Sequence, residues 1–253
     1  MVHFVGAGSG AVDLITVRGL NLLKNADVII YAGSLVNKEL LNYKKDDCVT
    51  YDSATMTLEQ VIDVIKETEK KNQTTVRLHT GDPSIYGAIR EQMDELDRLF
   101  ISYQYCPGVS SFCGAASALN LEYTLPDVSQ TVILTRMAGR TPVPEKESIE
   151  KLAAHQATMV IFLSTGMLKE LTNRLLLGGY KEDTPAAIVY KATWPDEKKF
   201  VCTVKTLEQT ARENDIKQTA LIIVGDVLNC DYRRSDLYHP DFETQFRKAR
   251  GNV

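Results

Sequence analysis

The chain has 253 residues, of which 44% are hydrophobic and 25% are charged, and its formal net charge is −4. This composition predicts a globular protein of one large or two small domains, and it argues against nucleic acid or an anionic membrane as the main partner. No window approaches the roughly 18 apolar residues of a membrane span, and five scattered cysteines with four histidines favour a reducing, cytoplasmic setting without a metal site.

The first predicted element is a strand that leads into a glycine-rich loop. Residues 2–5 are mostly apolar and partly β-branched, and Gly6, Gly8 and Gly10 follow directly. Ligands bind beyond the carboxyl ends of strands in open α/β sheets, so the loop is a candidate binding element. The plainer alternative is a tight turn between a strand and a helix, with Thr16 as the N-cap of that helix.

The same loop fits the looser form of a dinucleotide-binding fingerprint, with Gly6, Gly8 and Ala11 at the required spacing. Two features count against that function. The helix is expected to begin only at about Thr16, and the second strand, at 27–31, is not followed by the acid that binds ribose. A dinucleotide-dependent oxidoreductase is therefore the less favoured class.

The remainder of the first half alternates strands and helices, which predicts an α/β domain with a mostly parallel sheet over residues 1–115. Thr57 and Gln60 form a capping-box pattern at the start of one helix, and another helix is predicted at 85–99. Two further loops rich in glycine, proline and serine follow strands, at 80–87 and 106–111. The predicted strands are 2–5, 27–31, 46–51, 74–79 and 101–105.

The second half is also predicted to be α/β, with more consecutive strands, over residues 116–228. Residues 229–253 are polar with little periodicity, which predicts a partly ordered tail. A second Thr-x-x-Gln pattern, at Thr206, is expected to open the last helix. The predicted strands are 131–135, 158–163, 186–190, 199–204 and 221–224, and the predicted helices are 146–154, 168–177 and 207–213.

Three segments in combination resemble the tetrapyrrole methylases, which use S-adenosylmethionine in corrin and sirohaem synthesis. These are residues 5–19, 80–86 and 107–111, and the resemblance continues to about residue 228. Four more segments are similar to the branch of the family that methylates carbon 11 of precorrin-4, or of its cobalt complex, on the way to cobalamin. They are residues 31–36, 131–136, 139–144 and 190–197.

The resemblance implies two α/β domains with the active-site cleft between them, a homodimer, and a first loop that faces the tetrapyrrole. It leaves open whether the substrate already carries cobalt. A methylase for another ring position, or a tetrapyrrole-binding protein without activity, remains an alternative.

Cofactor contacts follow from the same resemblance, since a nucleoside donor is positioned by backbone groups and small hydroxyls. For Ile85 and Leu163, packing in the core is the alternative interpretation. The implied contacts to S-adenosylmethionine, or to its product S-adenosylhomocysteine, are Thr80, Gly81, Asp82, Ile85, Ser110, Ser111, Leu163, Ala192, Thr219 and Ala220.

The tetrapyrrole carries acetate and propionate carboxylates, which favour cationic partners. Arg136, Arg140 and Lys191 are the candidates, although each could be a solvated surface charge, and Ser9 and Ser34 are added as substrate contacts.

The first loop departs from the family pattern at the position of an acid. Many members read Pro-Gly-Asp-Pro where this chain has Ser9, Gly10, Ala11 and Val12. Asp13 is then the nearest acid and the candidate catalytic residue. A carboxylate favoured by the dipole at a helix N-terminus is the alternative role.

Overall fold

The structure is a computed structural model that describes residues 1–33 and 35–249. The described chain forms two compact units. The first comprises Met1–Ala118 with Lys191–Lys198, and the second comprises Leu119–Tyr190 with the described residues from Lys199 onward. The return of Lys191–Lys198 to the first unit was not expected, because the sequence predicts linear domains at 1–115 and 116–228. That linear division stays a prediction.

The first unit is built on a parallel sheet of five strands in the order β3-β2-β4-β1-β5. The strands are β1 Val2–Gly6, β2 Val28–Tyr31, β3 Val49–Asp52, β4 Thr75–His79 and β5 Tyr103–Cys106. The helices are α1 Val17–Asn25, α2 Leu58–Lys70, α3 Arg90–Arg98 and α4 Ser111–Leu119. All five predicted strands and the parallel sheet are confirmed.

Helices cover both faces of this sheet, which is the usual arrangement for parallel strands. Successive residues of a strand point to opposite faces, so Val5 and Phe4 of β1 enter different cores. Val5 belongs to a buried cluster that includes Leu23 of α1. Phe4 belongs to another, with Ile65 of α2 and Leu96 of α3.

Two helix starts were predicted correctly from their capping residues. The Thr16 hydroxyl accepts a hydrogen bond from Gly19 N at 3.1 Å, and Thr57 and Gln60 form the reciprocal capping box of α2. The predicted helix at 85–99 was wrong in its first turn. Tyr86 and Ala88 have φ values of 55° and 49°, so the chain cannot become helical until Arg90, the first residue of α3.

The second unit contains a mixed sheet in the order β6-β7-β10-β8-β9. Strand β7 is parallel to β6, and β10 is antiparallel to both β7 and β8. The strands are β6 Val132–Arg136, β7 Thr158–Phe162, β8 Pro185–Tyr190, β9 Lys198–Thr203 and β10 Ala220–Val224. The helices are α5 Ile149–Ala153, α6 Leu168–Leu177 and α7 Leu207–Glu213.

The predicted helices at 168–177 and 207–213 match α6 and α7, whereas the helix predicted at 146–154 begins too early. Thr206 is the N-cap residue of α7, but its side chain makes no capping hydrogen bond there, so the predicted box with Gln209 is wrong. Thr206 instead pairs with Thr203 across a 3-10 turn at Val204–Thr206 that precedes α7. Another 3-10 turn, at Glu145–Glu147, delays α5 to Ile149. The core of this unit is one buried cluster in which Ile161 and Ile222 contribute from the sheet.

The described part of the tail, residues 229–249, is organised by its own hydrogen bonds. The Arg247 guanidinium donates to the carbonyl oxygens of Leu237, His239 and Phe242 at 2.8, 2.8 and 3.2 Å. In the part of the chain that the structure describes, none of the helices combines the length and apolar character that crossing a membrane requires.

Candidate active site

Two loops at the carboxyl ends of the central strands of the first sheet are joined backbone to backbone. Gly8, after β1, and Gly81, after β4, exchange hydrogen bonds of 3.3 and 2.8 Å in both directions. Both residues have positive φ, +84° and +59°, a conformation that glycine adopts without strain. The first predicted loop therefore forms part of a larger loop cluster.

The loop after β5 joins this cluster through a close backbone approach. A Cβ atom placed on Gly108 would lie 2.2 Å from the Gly81 carbonyl oxygen, and one on Gly6 would lie 2.6 Å from Gly108 Cα. A Cβ on Gly81 would lie 3.3 Å from Ser111 N and 3.4 Å from Ser110 Cα. The structure thus brings the predicted cofactor-binding residues 80–82 and 110–111 together at one edge of the sheet.

Asp82 connects two of these loops through its carboxylate. Its Oδ2 accepts a hydrogen bond from Gly108 N at 2.8 Å, and Oδ1 accepts from Ser84 N at 2.9 Å, from Ser84 Oγ at 2.6 Å and from the Tyr105 hydroxyl. Burial raises the pKa of Asp82, but these hydrogen bonds outweigh it and hold the pKa below its usual value. The ionised Asp82 carboxylate therefore holds the loops after β4 and β5 together, and we call this set of hydrogen bonds the Asp82 bracket.

Thr80 and Ile85 lie on either side of Asp82 in the same loop. The Thr80 hydroxyl donates to the carbonyl oxygen of Leu35 at 3.1 Å. Ile85 is half-buried and lies in the irregular segment before α3. Ser110 is buried, with 6% of its surface exposed.

Residues 191–198 also contact the glycine-rich loop that follows β1. The Thr193 hydroxyl lies 3.0 Å from Ser9 Oγ and accepts from Ala11 N at 3.1 Å. The Trp194 indole packs so closely on Gly10 that an added Cβ would lie 2.2 Å from Cδ1. Asn37 Nδ2 donates to the Gly10 carbonyl oxygen at 2.9 Å. The loop is therefore fixed by side chains that the sequence places far away.

Three predicted site residues lie in or against this segment. Ser9 is buried, with 6% exposure, and its hydroxyl is engaged by Thr193. Ala192 is buried, and its carbonyl oxygen lies 2.9 Å from the position of a Cβ on Gly10. The Lys191 ammonium pairs with Asp196 at 2.6 Å and lies 5.6 Å from the Trp194 ring centroid. A substrate carboxylate at Lys191 would have to compete with that ion pair.

The predicted cofactor residues of the second unit gather at one edge of its sheet. Leu163 follows β7, and Thr219 and Ala220 lie at the start of β10; because these strands are antiparallel, the two positions are neighbours. Leu163 and Thr219 have φ values of 52° and 57°, and Leu163 is 63% exposed. The exposure of Leu163 argues against simple core packing within this unit.

The two candidate substrate arginines, Arg136 and Arg140, differ in their contacts. Arg136 donates from Nη1 to the carbonyl oxygens of Met137 and Thr141, both at 3.2 Å, and from Nη2 to that of Pro142 at 2.8 Å. Arg140 is exposed and has no hydrogen bond or ion pair with the described residues. Arg136 therefore closes its own loop, whereas Arg140 is available to a ligand.

Asp13 lies in a 3-10 turn at Val12–Leu14 and is exposed. Its carboxylate has no partner among the described residues, so the structure assigns it no structural contact. Ser34, the other predicted substrate contact, lies outside the described residues.

The sequence alone did not single out Thr193, Asn37 or Tyr105. Thr193 contacts residues 182 and 184 positions away, and no local pattern signals such a contact. The sequence predicts Tyr105 as the last residue of a strand, and its position just before a proline-glycine loop is the signal that could have placed it near the site. Within residues 1–33 and 35–249, no group of three or more histidine, cysteine, aspartate or glutamate residues could hold a metal ion.

Comparison with known proteins gives consistent matches along most of the chain. A profile of the tetrapyrrole (corrin/porphyrin) methylases matches residues 1–208. A cobalt-precorrin-4 C(11)-methyltransferase of Methanocaldococcus jannaschii is 52% identical over 249 residues, 98% of this chain and 96% of that protein. A protein of the same name from Priestia megaterium is 45% identical over 253 residues, 98% of each chain. The X-ray structure of a cobalt precorrin-4 methyltransferase, a cobalamin biosynthetic enzyme, matches with a TM-score of 0.89 at 45% identity, over 90% of this chain and 96% of the other.

Proposed function

The chain belongs to the tetrapyrrole methylase family, and on that premise we propose that it methylates carbon 11 of cobalt-precorrin-4 in cobalamin biosynthesis. The observation that carries the proposal is the near-full-length identity to two enzymes named for this reaction. The substrate brings the cobalt, and the protein acts on the ring around it. Precorrin-4 without cobalt is the alternative substrate.

For the methyl donor we propose S-adenosylmethionine, which leaves as S-adenosylhomocysteine. The described residues fit such a group, because Gly81 and Gly108 present backbone without side-chain bulk and Ser110 lies beside them. When bound, the sulfonium supplies an activated methyl group for in-line displacement by the acceptor carbon. The protein's part is then mainly alignment.

Alignment requires loops that do not move, and the contacts of the first unit supply this rigidity. Asp82 holds residues 82–84 to Gly108, and Thr193 holds Ser9 and Ala11. A misplacement of a reacting atom by about 1 Å can cost roughly a hundredfold in rate, so such brackets matter for catalysis. The ionised Asp82 is already occupied by protein donors, which leaves Asp13 as the proposed proton acceptor.

Among the cations, Arg140 is the best candidate for a substrate carboxylate. Its guanidinium is exposed and unpaired within the described chain, and its planar shape suits bidentate recognition of a carboxylate. Arg136 would support it by closing the loop at residues 136–142. A homodimer and a cytoplasmic location complete the proposal, on the family resemblance alone.

The proposal is tested by incubating the purified protein with S-adenosylmethionine and cobalt-precorrin-4. We expect the tetrapyrrole to gain the mass of one methyl group as one equivalent of S-adenosylhomocysteine forms. Precorrin-4 and uroporphyrinogen III serve as parallel substrates, and the rate with each gives the preference for cobalt and for ring type. Binding of the tetrapyrrole without methyl gain, by a folded protein, would overturn the enzyme assignment in favour of a binding protein.

A further inference from the structure

A cavity of about 270 Å³ lies in the first unit, where β2 and β4 end. Ala32 lines it from the end of β2, Arg77 and His79 line it from β4, and Gln92 lines it from α3. Arg77 and His79 are two residues apart on one strand, so their side chains share a face of the sheet. We call this cavity the Arg77 pocket.

Arg77 brings an uncompensated positive charge to the pocket. It is 6% exposed, and its Nε and Nη1 groups donate to the Gln92 side-chain oxygen at 2.9 Å and to the Ile30 carbonyl oxygen at 3.0 Å. Both acceptors are neutral, and no carboxylate of the described residues forms an ion pair with it. Burial lowers the pKa of Arg77 to about 10, so the guanidinium is still charged at neutral pH.

His79 brings a polar atom without a partner. Its side chain is 4% exposed, and its Nε2 atom is buried with no hydrogen-bond partner among the described residues. Burial and the nearby Arg77 lower the pKa of His79 to about 3, so the imidazole is neutral at neutral pH. A neutral imidazole can donate from Nε2 when the proton resides there.

A buried cation and an unpaired polar nitrogen are both costly, and together they indicate what the pocket accepts. One carboxylate would compensate the charge of Arg77 and accept a hydrogen bond from His79. The other lining residues include Met56, Val61 and Ile85, whose apolar side chains suit a methylene stem. A water molecule occupies about 30 Å³, so a cavity of about 270 Å³ holds several groups of that size and has room for more than the carboxylate itself.

We propose that the Arg77 pocket binds a carboxylate on a short methylene stem, and that it receives one acetate or propionate arm of the tetrapyrrole. The second part rests on the proposed function. Thr80 and Ile85 line the pocket and belong to the loop that carries Asp82, so an arm held here would set the position of the ring relative to that loop. Gln92 links Arg77 to the loop, since its Nε2 donates to the Ala88 carbonyl oxygen at 2.9 Å.

Glu91 is the one described acid that lines the pocket, and its charge opposes a bound carboxylate. Its side chain is exposed, whereas Arg77 is buried, so solvent screens Glu91 far more than Arg77. The arginine therefore dominates the field inside the pocket.

The first experiment measures binding of sodium propionate through the side-chain nitrogen signals of His79 in the nitrogen-15-labelled full chain. Propionate should shift them saturably, and neutral propionamide should not. Arg77→Gln should weaken the effect at least tenfold. If that variant does not fold, His79→Leu, followed by calorimetry, replaces it. No saturable shift with propionate, or an equal shift with propionamide, would mean that the pocket holds only water.

The second experiment distinguishes a free carboxylate from an arm of the tetrapyrrole. His79→Leu should raise the KM for the tetrapyrrole about tenfold and leave the Kd for S-adenosylhomocysteine unchanged, while His79→Gln, which retains a donor, restores most of the loss. If propionate binds but the KM is unchanged in His79→Leu, the pocket takes a free short-chain acid and the assignment to the tetrapyrrole is wrong. Because the first experiment does not depend on activity, its result separates the pocket from the proposed function.

Discussion

Asp82→Asn is the substitution that tests the loop bracket most sharply. It replaces Oδ2 with an NH2 group of nearly the same size, so the packing of the loop is retained. Gly108 N, which donates to Oδ2 at 2.8 Å, would then face a second donor. The hydrogen bonds from Ser84 and Tyr105 to Oδ1 can persist, although the acceptor is no longer charged.

The expected effect on cofactor affinity follows from the loss of that one contact. A hydrogen bond to a charged group contributes about 1.5–3 kcal/mol, and a middle value of about 2 kcal/mol corresponds to roughly thirtyfold in an equilibrium constant. If the cofactor binds only to the bracketed loops, the whole penalty appears as weaker apparent affinity. We therefore expect the Kd for S-adenosylhomocysteine to rise about thirtyfold.

The assay is isothermal titration calorimetry with S-adenosylhomocysteine, with circular dichroism to confirm folding. Asp13→Asn is the matched control, because the same chemical change is made at an exposed carboxylate without a described partner. Its Kd should change less than about twofold. Equal losses in the two variants, or an unchanged Kd in Asp82→Asn, would refute the bracket.

Arg140→Ala should raise the KM for the tetrapyrrole and leave the cofactor affinity unchanged. Arg136→Ala should also increase hydrogen exchange of residues 136–142, because it removes the contacts that close this loop. Unchanged kinetics in both variants would place the carboxylate contacts elsewhere. Thr193→Val should lower kcat about tenfold and Thr193→Ser should not, because it is the hydroxyl that contacts Ser9 and Ala11. Equal kcat values for the two variants would contradict this. Burial lowers the pKa of His79 from the ordinary imidazole value of 6.5 to about 3 in the folded chain, so its stabilisation is present above pH 6.5 and is lost as the pH falls towards 3. Between pH 7 and 5 this amounts to about 2 kcal/mol of unfolding free energy, which urea titrations should show in the wild type and not in His79→Gln.

Local sequence patterns predicted the strands and several helix starts because their causes are local. A run of β-branched and apolar residues such as 74–79 favours a strand wherever it lies, and Thr57 with Gln60 completes its capping box within one turn. The failure at residues 85–89 has the opposite cause. The sequence predicts a helix from residue 85, but the positive φ values of Tyr86 and Ala88 interrupt it before Arg90.

The candidate site was predictable to the extent that it consists of loops that follow strands. Each of the glycine-rich loops at 6–10, 80–87 and 106–111 was predicted to follow a strand, and parallel strands end at one edge of the sheet, where Gly8 pairs with Gly81. The contact of Thr193 with Ser9 was not predictable, because it joins parts of the chain 184 residues apart. Arg77 and His79 looked like ordinary strand residues, and only the packing of α3 on β4 reveals the pocket that they line.

Carbon-13 NMR of the product tests the position of methylation most directly. The protein would be supplied with S-adenosylmethionine labelled in its methyl group and with cobalt-precorrin-4. We expect one labelled methyl carbon attached to carbon 11, with its amount equal to the S-adenosylhomocysteine released. A label attached to any other ring carbon, or no label transferred by the folded protein while a known enzyme converts the same substrate, would contradict it.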